Sequence, residues 1–270
     1  MSTAIERVLR GIAKFQNSAV KETLKQQMGF TKPLTVEDQY YALMVTCIDV
    51  RLQPSKFTST DASTTLFKFR SPGNFVPNQA VINTLTDSSK GDSKSIVASE
   101  TATLDFACVF NHIRHILVCG HSDCKAMNLL YSNQDRQETP LRACLHHYGK
   151  ASMEKFQKFK LNPQEPLSFV SKIPIQTFQA VIDEENKFSP QDQLSQINTL
   201  QQIENIASHD HLKEIIQAKE SRDRLHIHAL WHDVGTADVF WFVKEKQRFL
   251  LADENIVEDE LKKLELKNQW

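Results

Sequence analysis

Two short segments of the chain contain residue types that bind transition metals. The first has Cys47, Asp49 and Arg51 at alternate positions, and the second has His121 and Cys124. Two thiolates and one imidazole can occupy three corners of a tetrahedral Zn²⁺ shell, and soft thiolate donors favour zinc over magnesium or calcium. A carboxylate that stands two residues from the first thiol adds a fourth donor. Together these residue types predict a zinc site.

The elements expected around the two segments place them at the same edge of a sheet. An apolar run over residues 41–46 predicts a strand that ends at Cys47, and a second run over 115–119 predicts another strand. In open parallel sheets, sites form on the loops that follow the carboxyl ends of the strands. A lone cysteine at a strand end is usually a small buried apolar residue. The prediction of a metal site therefore depends on the two segments occurring together.

The remaining pattern predicts an α/β domain that spans residues 1–270. Apolar strands that alternate with helices are typical of a mostly parallel central sheet flanked by helices. Two strands that flank a turn at Gly235 predict an antiparallel hairpin at the C-terminal edge of this sheet. Residues 132–190 are polar and contain five prolines, which predicts only short helices there. The other expected elements are a strand over 65–69, helices over 192–208 and 256–266, and hairpin strands over 225–231 and 239–243.

Charge and composition exclude several classes of protein. The chain has 32 Lys and Arg against 33 Asp and Glu, a net charge of −1, so its charge favours neither nucleic acid nor an anionic membrane surface as a partner. No apolar run approaches the eighteen residues or so that a transmembrane helix needs. Five widely spaced cysteines, an odd number, indicate reduced thiols inside a cell rather than a disulfide framework.

The first 28 residues fit two interpretations. Five basic and two acidic residues give the segment part of the character of a mitochondrial targeting peptide. The same segment also predicts an amphipathic helix, which we favour, with Ile5, Val8, Leu9 and Ile12 on one face. Mitochondrion and cytosol therefore both remain open.

The spacing C-x-D-x-R, followed some seventy residues later by H-x-x-C, resembles the signature of the β-class carbonic anhydrases. Residues 70–77 (RSPGNFVP) are similar to the family's R-N-x-G-N-x-x-P turn. Three further segments resemble the animal members closely, so the resemblance spans nearly the whole chain. These segments cover residues 120–131, 194–208 and 225–234.

The resemblance implies an enzyme that hydrates CO₂ reversibly to bicarbonate and a proton on one Zn²⁺ per subunit. Cys47, His121 and Cys124 would be the protein ligands. Asp49 would be either a fourth ligand or, when paired to Arg51, the group that accepts a proton beside the metal. An arginine that grips both carboxylate oxygens would hold Asp49 off the metal.

The resemblance also implies a substrate pocket and an oligomer. Ser71 and Pro72 depart from the family pattern in the turn, and Pro72 has no N–H to offer an anion. A homodimer or tetramer is expected, with residues 1–27 as a helical arm that packs on a partner subunit. The expected pocket residues are Gln39, Phe67, Gly73, Asn74 and Phe106.

Two alternatives remain. The same zinc site would also suit hydrolysis of a CO₂ analogue such as carbonyl sulfide or carbon disulfide. A structural zinc protein, in which Asp49 closes the shell permanently, is the alternative outside enzymes, although such a site has no need of Arg51 as a releasing group.

Overall fold

The computed structural model describes residues 4–21, 23, 41–59, 66–86, 98–132, 139–171, 173 and 177–267. Its central sheet has six strands in the order β2-β1-β3-β6-β7-β8, and β4 and β5 form a separate pair. The strands are β1 (Ala42–Cys47), β2 (Leu66–Ser71), β3 (His115–His121), β4 (Leu167–Phe169), β5 (Phe178–Ala180), β6 (His226–His232), β7 (Val239–Val243) and β8 (Arg248–Leu251).

Strand direction divides the sheet into two parts. Strands β2, β1, β3 and β6 run parallel, whereas β7 and β8 are antiparallel to their neighbours. The inner strands β1, β3 and β6 are largely buried, as expected for parallel strands covered on both faces. This arrangement confirms the predicted fold class. The antiparallel edge extends one strand beyond the predicted hairpin, because residues 248–251 pair with β7.

Helices surround the sheet, and none of those described is long and apolar enough to span a bilayer. Helix α4 continues directly into a π-helix at Asp105–Phe110. The helices are α1 (Ala4–Gln16), α2 (Pro54–Phe57), α3 (Gln79–Thr86), α4 (Ser99–Leu104), α5 (Lys125–Ser132), α6 (Pro140–Leu161), α7 (Pro190–Ala207), α8 (Lys213–Ile216) and α9 (Glu254–Lys267).

Helix α6 corrects the prediction that prolines break residues 132–190 into short helices. It runs unbroken for 22 residues. Pro140 stands in its first turn, where a missing N–H interrupts no helical hydrogen bond, and Thr139 caps that end with its side chain. Pro163 lies beyond the last helical residue. The prolines therefore mark the ends of this helix.

Helix α7 is buried along most of its length. Its apolar residues recur at every third position, and each helical residue turns by about 100°, so five such residues spread over about 240° of the circumference. A helix of this kind packs against the core on several sides, and the polar residues between the apolar ones are buried as well. These buried residues include Gln193, Ser195, Gln196, Asn198, Thr199, Gln201, Gln202 and Asn205.

One glycine allows α7 to lie against the sheet. A Cβ atom built at Gly120, near the end of β3, would overlap Thr199 Oγ1. Only a residue without a side chain permits this approach. The packing brings α7 next to the loop that follows β3.

Candidate metal centre

The carboxyl ends of β1 and β3 bring three metal-binding side chains together. Cys47 is the last residue of β1, His121 is the last residue of β3, and Cys124 immediately precedes α5. The two sulfur atoms are 3.9 Å apart, and the three candidate ligand atoms lie within 4.8 Å of one another. All three residues are buried. We call this set the CHC group.

The CHC group fits a tetrahedral zinc ion. Zinc–sulfur bonds of about 2.3 Å at a tetrahedral angle place two sulfur atoms about 3.8 Å apart, close to the distance found here. His121 Nδ1 lies 2.8 Å from the Ser122 carbonyl oxygen, which can only accept, so Nδ1 carries the proton. Nε2 of His121 is buried and has no hydrogen-bond partner among the described residues. A metal ion would satisfy this orphaned nitrogen.

The environment of the thiols favours one thiolate even before a metal binds. A hydrogen bond from Cys124 lowers the pKa of Cys47 to about 4, and the amide of Gly73, 3.3 Å from the sulfur, adds to this effect against the opposing effect of burial. The same shared proton, together with burial, raises the pKa of Cys124 well above its usual value. Thiolate is the form that binds metal.

Arg51 holds both carboxylate oxygens of Asp49. The backbone N–H and Nε of Arg51 donate to Oδ1 at 3.0 Å each, and Nη2 donates to Oδ2 at 2.7 Å. Hydrogen bonds from the guanidinium hold the pKa of Asp49 well below its usual range. The carboxylate is therefore bound to arginine and is not part of the CHC group.

A second carboxylate, which sequence reasoning missed, anchors Arg51 from the other strand. Arg51 Nη1 donates to Asp123 Oδ2 at 2.7 Å, and Nη2 donates to the Asp123 carbonyl oxygen at 2.8 Å. The Asp123 amide in turn donates to Asp192 Oδ1 at 2.6 Å. Arg51 thus bridges the loops that follow β1 and β3. In the sequence, the position of Asp123 between the two candidate ligands of the H-x-x-C motif was the signal that its side chain could reach this site.

Arg70 fixes the loop that carries Asp49. Its Nε donates to the Cys47 carbonyl oxygen at 3.0 Å, and its Nη2 donates to the carbonyl oxygens of Asp49 and Leu52 at 2.7 and 3.0 Å. Three backbone carbonyls therefore converge on one guanidinium. In the sequence, the position of Arg70 at the start of the 70–77 turn was the signal for this role.

The turn after β2 places Gly73 and Asn74 beside the CHC group. Gly73 has a φ of 73°, which favours glycine, and a Cβ there would lie 2.8 Å from Met127 Cε. Its amide points at the Cys47 sulfur. Asn74 is buried, and its Nδ2 has no partner among the described residues. Pro72 offers no donor, as expected.

Amide side chains of α7 hold this turn in place. Asn198 Nδ2 donates to the Gly73 carbonyl oxygen at 2.9 Å. Gln202 Oε1 accepts from the Val76 amide at 2.8 Å, and Asn205 Nδ2 donates to the Val76 carbonyl oxygen at 2.9 Å. Sequence reasoning missed these three amides because polar residues on a helix are usually exposed. The three-residue spacing of the apolar positions was the signal that this helix is buried.

Two of the other expected pocket residues, Phe67 and Phe106, lie away from the CHC group within one chain. Phe67 pairs with Leu43, four residues before the Cys47–Ser71 pair, which places it about 13 Å along the strands. Its ring is 6.3 Å from that of Phe106, which is 52% exposed. Gln39 lies outside the described residues. The roles of these three residues stay predictions.

Comparison with known proteins agrees with this geometry. The model of the carbonic anhydrase family matches residues 42–239. Beta carbonic anhydrase 1 of Caenorhabditis elegans is 34% identical over 266 residues, which cover 96% of this chain and 93% of the relative.

Two solved structures share the fold. The β-carbonic anhydrase CcaA has a TM-score of 0.65 at 19% identity and 94% coverage of both chains. A tetrameric β-carbonic anhydrase of Sordaria macrospora has a TM-score of 0.53 at 17% identity, covering 88% of this chain and 93% of that one. The family match and the similarity to the nematode relative lead to one conclusion: this chain belongs to the β class of carbonic anhydrases.

Proposed function

We propose that the chain catalyses the reversible hydration of CO₂ to bicarbonate and a proton, with one Zn²⁺ per chain on Cys47, His121 and Cys124. One observation carries the proposal: three buried ligand atoms of the zinc-binding type converge at the sheet edge of a chain from this family. Named members of the family are carbonic anhydrases, so the enzyme class is that of a carbonate dehydratase.

A zinc ion held by Cys47, His121 and Cys124 would lower the pKa of water at the site and so make hydroxide available near neutral pH. The protein fixes the donors for this chemistry. The carbonyl of Ser122 orients the His121 ring, and Ser195 donates to the His121 carbonyl oxygen at 2.7 Å, which ties the loop to α7. Two thiolates supply a charge of −2. We therefore expect the site to be a weaker Lewis acid than a site with three imidazoles.

We assign Asp49 the handling of a proton beside the metal and Arg51 the positioning of Asp49. Arg51 engages both carboxylate oxygens, and Asp123 holds the guanidinium from the opposite loop. This double anchor would hold the carboxylate off a metal ion bound by the CHC group. Closure by Asp49 would require three contacts with Arg51 to break. The observed pairing favours a catalytic site over a structural zinc site that Asp49 closes.

The substrate side of the site would be formed by Gly73, Asn74, Phe67, Phe106 and Gln39. The Asn74 amide supports this assignment because its buried Nδ2 is a donor available to a substrate oxygen. The Gly73 amide already donates to Cys47, so its role is to stabilise the thiolate. Phe67 and Phe106 lie away from the CHC group within one chain, so the apolar wall that they would provide would face the CHC group of a second copy of the chain.

We further propose that residues 1–270 form one domain and that the chain assembles into a homo-oligomer, a dimer or a tetramer. In this assembly residues 1–27 are a helical arm that packs on a partner subunit. Helix α1 buries none of its residues, and Ile5, Val8 and Leu9 are each more than half exposed. A short helix with an unburied apolar face is marginal in water and needs a surface to pack on. A second copy of the chain would supply that surface.

An intracellular site of action fits the five free cysteines, since reduced thiols are typical of such compartments. Mitochondrion and cytosol are both compatible with this proposal.

Stopped-flow hydration of CO₂ by the zinc-loaded chain tests the proposed function, with carbonyl sulfide hydrolysis as the competing reaction. We expect rapid CO₂ hydration and at most slow hydrolysis of carbonyl sulfide. The reverse preference would favour the hydrolase alternative.

Loss of bound zinc in Cys47→Ser, His121→Ala and Cys124→Ser tests the ligands. Cys108→Ser, which changes a buried thiol outside the CHC group, is the matched control and should retain zinc.

A further inference from the structure

A cavity of about 360 Å³ lies beside the antiparallel edge of the sheet. Its lining includes Gln196 of α7, Asp238 just before β7 and the aromatic residues Phe188, Phe240 and Phe249. None of the three CHC residues lines it. The volume falls in the range of sites for small molecules.

Gln196 is the buried polar group of this cavity. It is 2% exposed, and its side chain makes no hydrogen bond with the part of the chain that the structure describes. Neighbouring polar residues of α7, such as Asn198 and Gln202, are by contrast fully engaged. The polar atoms of Gln196 are accessible from the cavity, so water or a ligand there can take the hydrogen bond that the described residues do not supply. Gln196 therefore offers a hydrogen bond to an occupant of the cavity.

The charge of the lining selects a cation. Five carboxylates and two basic groups line the cavity, which leaves a net charge of −3. Both basic groups are already paired, Lys187 with Glu185 and Arg248 with Glu184. The carboxylate of Asp238 is exposed and accepts no hydrogen bond from the described residues. It is available to a ligand.

The same lining disfavours a metal ion. The CHC group is the sole set of three metal-binding side chains that converges within 4.8 Å in the described ranges, so the cavity carboxylates do not. Aromatic rings lie beside them instead. Phe188 and Phe240 are perpendicular, with centroids 6.0 Å apart. Such rings bind the apolar body of a ligand and attract an organic cation through their faces.

We propose that this cavity binds a small organic ammonium ion, whose charged group pairs with Asp238, whose body packs on the aromatic rings and whose N–H donates to Gln196. The site is separate from the metal centre and does not depend on the proposed function.

Calorimetric titration of the zinc-loaded chain at pH 7 tests the proposal with three probes of similar shape: phenethylammonium, 2-phenylethanol and 3-phenylpropionate. We expect phenethylammonium to bind at least about five-fold more tightly than the alcohol, as for one partly exposed ion pair, and the carboxylate to bind most weakly. Equal affinity for ammonium and alcohol would overturn the proposal, as would no binding of phenethylammonium at about 10 mM.

Two variants locate the site. Asp238→Asn should weaken the binding of phenethylammonium by about five-fold and leave the binding of 2-phenylethanol unchanged. Gln196→Met should also weaken the binding of phenethylammonium. Asp259→Asn makes the same chemical change on the exposed face of α9 and should bind like the unaltered chain. Melting temperatures of the variants check their folding. Unchanged ammonium affinity in both cavity variants would refute this location.

Discussion

Replacement of Asn198 by Leu tests whether the buried amides of α7 hold the Gly73 turn. Asn198 is fully buried, and its Nδ2 donates to the Gly73 carbonyl oxygen at 2.9 Å. Its Oδ1 accepts from Ser152 Oγ at 2.8 Å and from Gln202 Nε2 at 3.0 Å. Leucine has a similar volume but makes none of these hydrogen bonds. The substitution therefore removes polar contacts without opening a large cavity.

The loss of stability follows from the groups left without a partner. Gln202 Nε2 retains the Asn198 backbone carbonyl at 3.1 Å, so it is not orphaned. Ser152 Oγ and the Gly73 carbonyl each lose a buried partner. At about 1–3 kcal/mol for each buried group, we expect the free energy of unfolding to fall by about 2–6 kcal/mol. Most domains have about 5–15 kcal/mol in total, so this is a large fraction.

Urea unfolding followed by tryptophan fluorescence measures this change. Asn162→Leu is the matched control, because Asn162 is exposed and its side chain donates only to Glu165 in the described chain. We expect the control to change the free energy of unfolding by less than about 0.5 kcal/mol. A loss below about 1 kcal/mol in Asn198→Leu would refute the reasoning. The sulfur-to-cobalt absorption band of the cobalt-loaded variant should also shift, because the Gly73 amide that donates to Cys47 is no longer held in place.

Four further predictions follow from the structure. Arg51→Ala should reduce the rate of CO₂ hydration in stopped-flow at pH 8 by at least about 100-fold while zinc stays bound. Arg51→Lys should restore little of this rate, because an ammonium group cannot bind both carboxylate oxygens of Asp49. Near-normal rates would contradict the positioning role of Arg51. Burial lowers the pKa of His209 to about 4, so the unfolded chain takes up the proton first as the pH falls below 6.5, and stability is lost between pH 6.5 and 4. In urea unfolding, the free energy of unfolding of His209→Gln should therefore fall by about 2 kcal/mol less between pH 7 and pH 5 than that of the unaltered chain. An equal fall in both proteins would count against this role of His209. Gly120→Ala should lower the free energy of unfolding by about 1–3 kcal/mol in thermal unfolding, because the new Cβ overlaps Thr199 Oγ1. A second change, Thr199→Ala, should restore part of this stability. Full stability of Gly120→Ala alone would show that the overlap is relieved without cost. Removal of residues 1–27 should lower the oligomer mass in sedimentation, and an unchanged mass would reject the arm.

The parallel strands could be predicted because burial on both faces leaves a plain signal in the sequence. The apolar runs that end at Cys47 and near His121 marked both strand ends, and β-sheet geometry then required their loops to be adjacent. The convergence of the CHC group follows from this arrangement. The length of α6 could not be predicted in the same way, because a proline in the first turn of a helix and one that breaks a helix look alike until the cap is known.

The contacts that position the site were harder to predict than the convergence of the CHC group. Asp123 reaches Arg51 across two loops that are 72 residues apart in the sequence. Asn198 reaches Gly73 across 125 residues, from a polar position that sequence rules assign to the helix surface. Such long-range polar contacts depend on tertiary packing, and local composition does not record them. The three-residue apolar spacing of α7 was the one local indication.

Zinc titration of the metal-free chain, with CO₂ hydration measured at each addition, tests most directly whether the CHC group holds a catalytic zinc. We expect the hydration rate to rise in proportion to added zinc up to about one equivalent per chain and then to stay constant. Full activity without zinc, or no activity after one tightly bound equivalent, would contradict the proposed function.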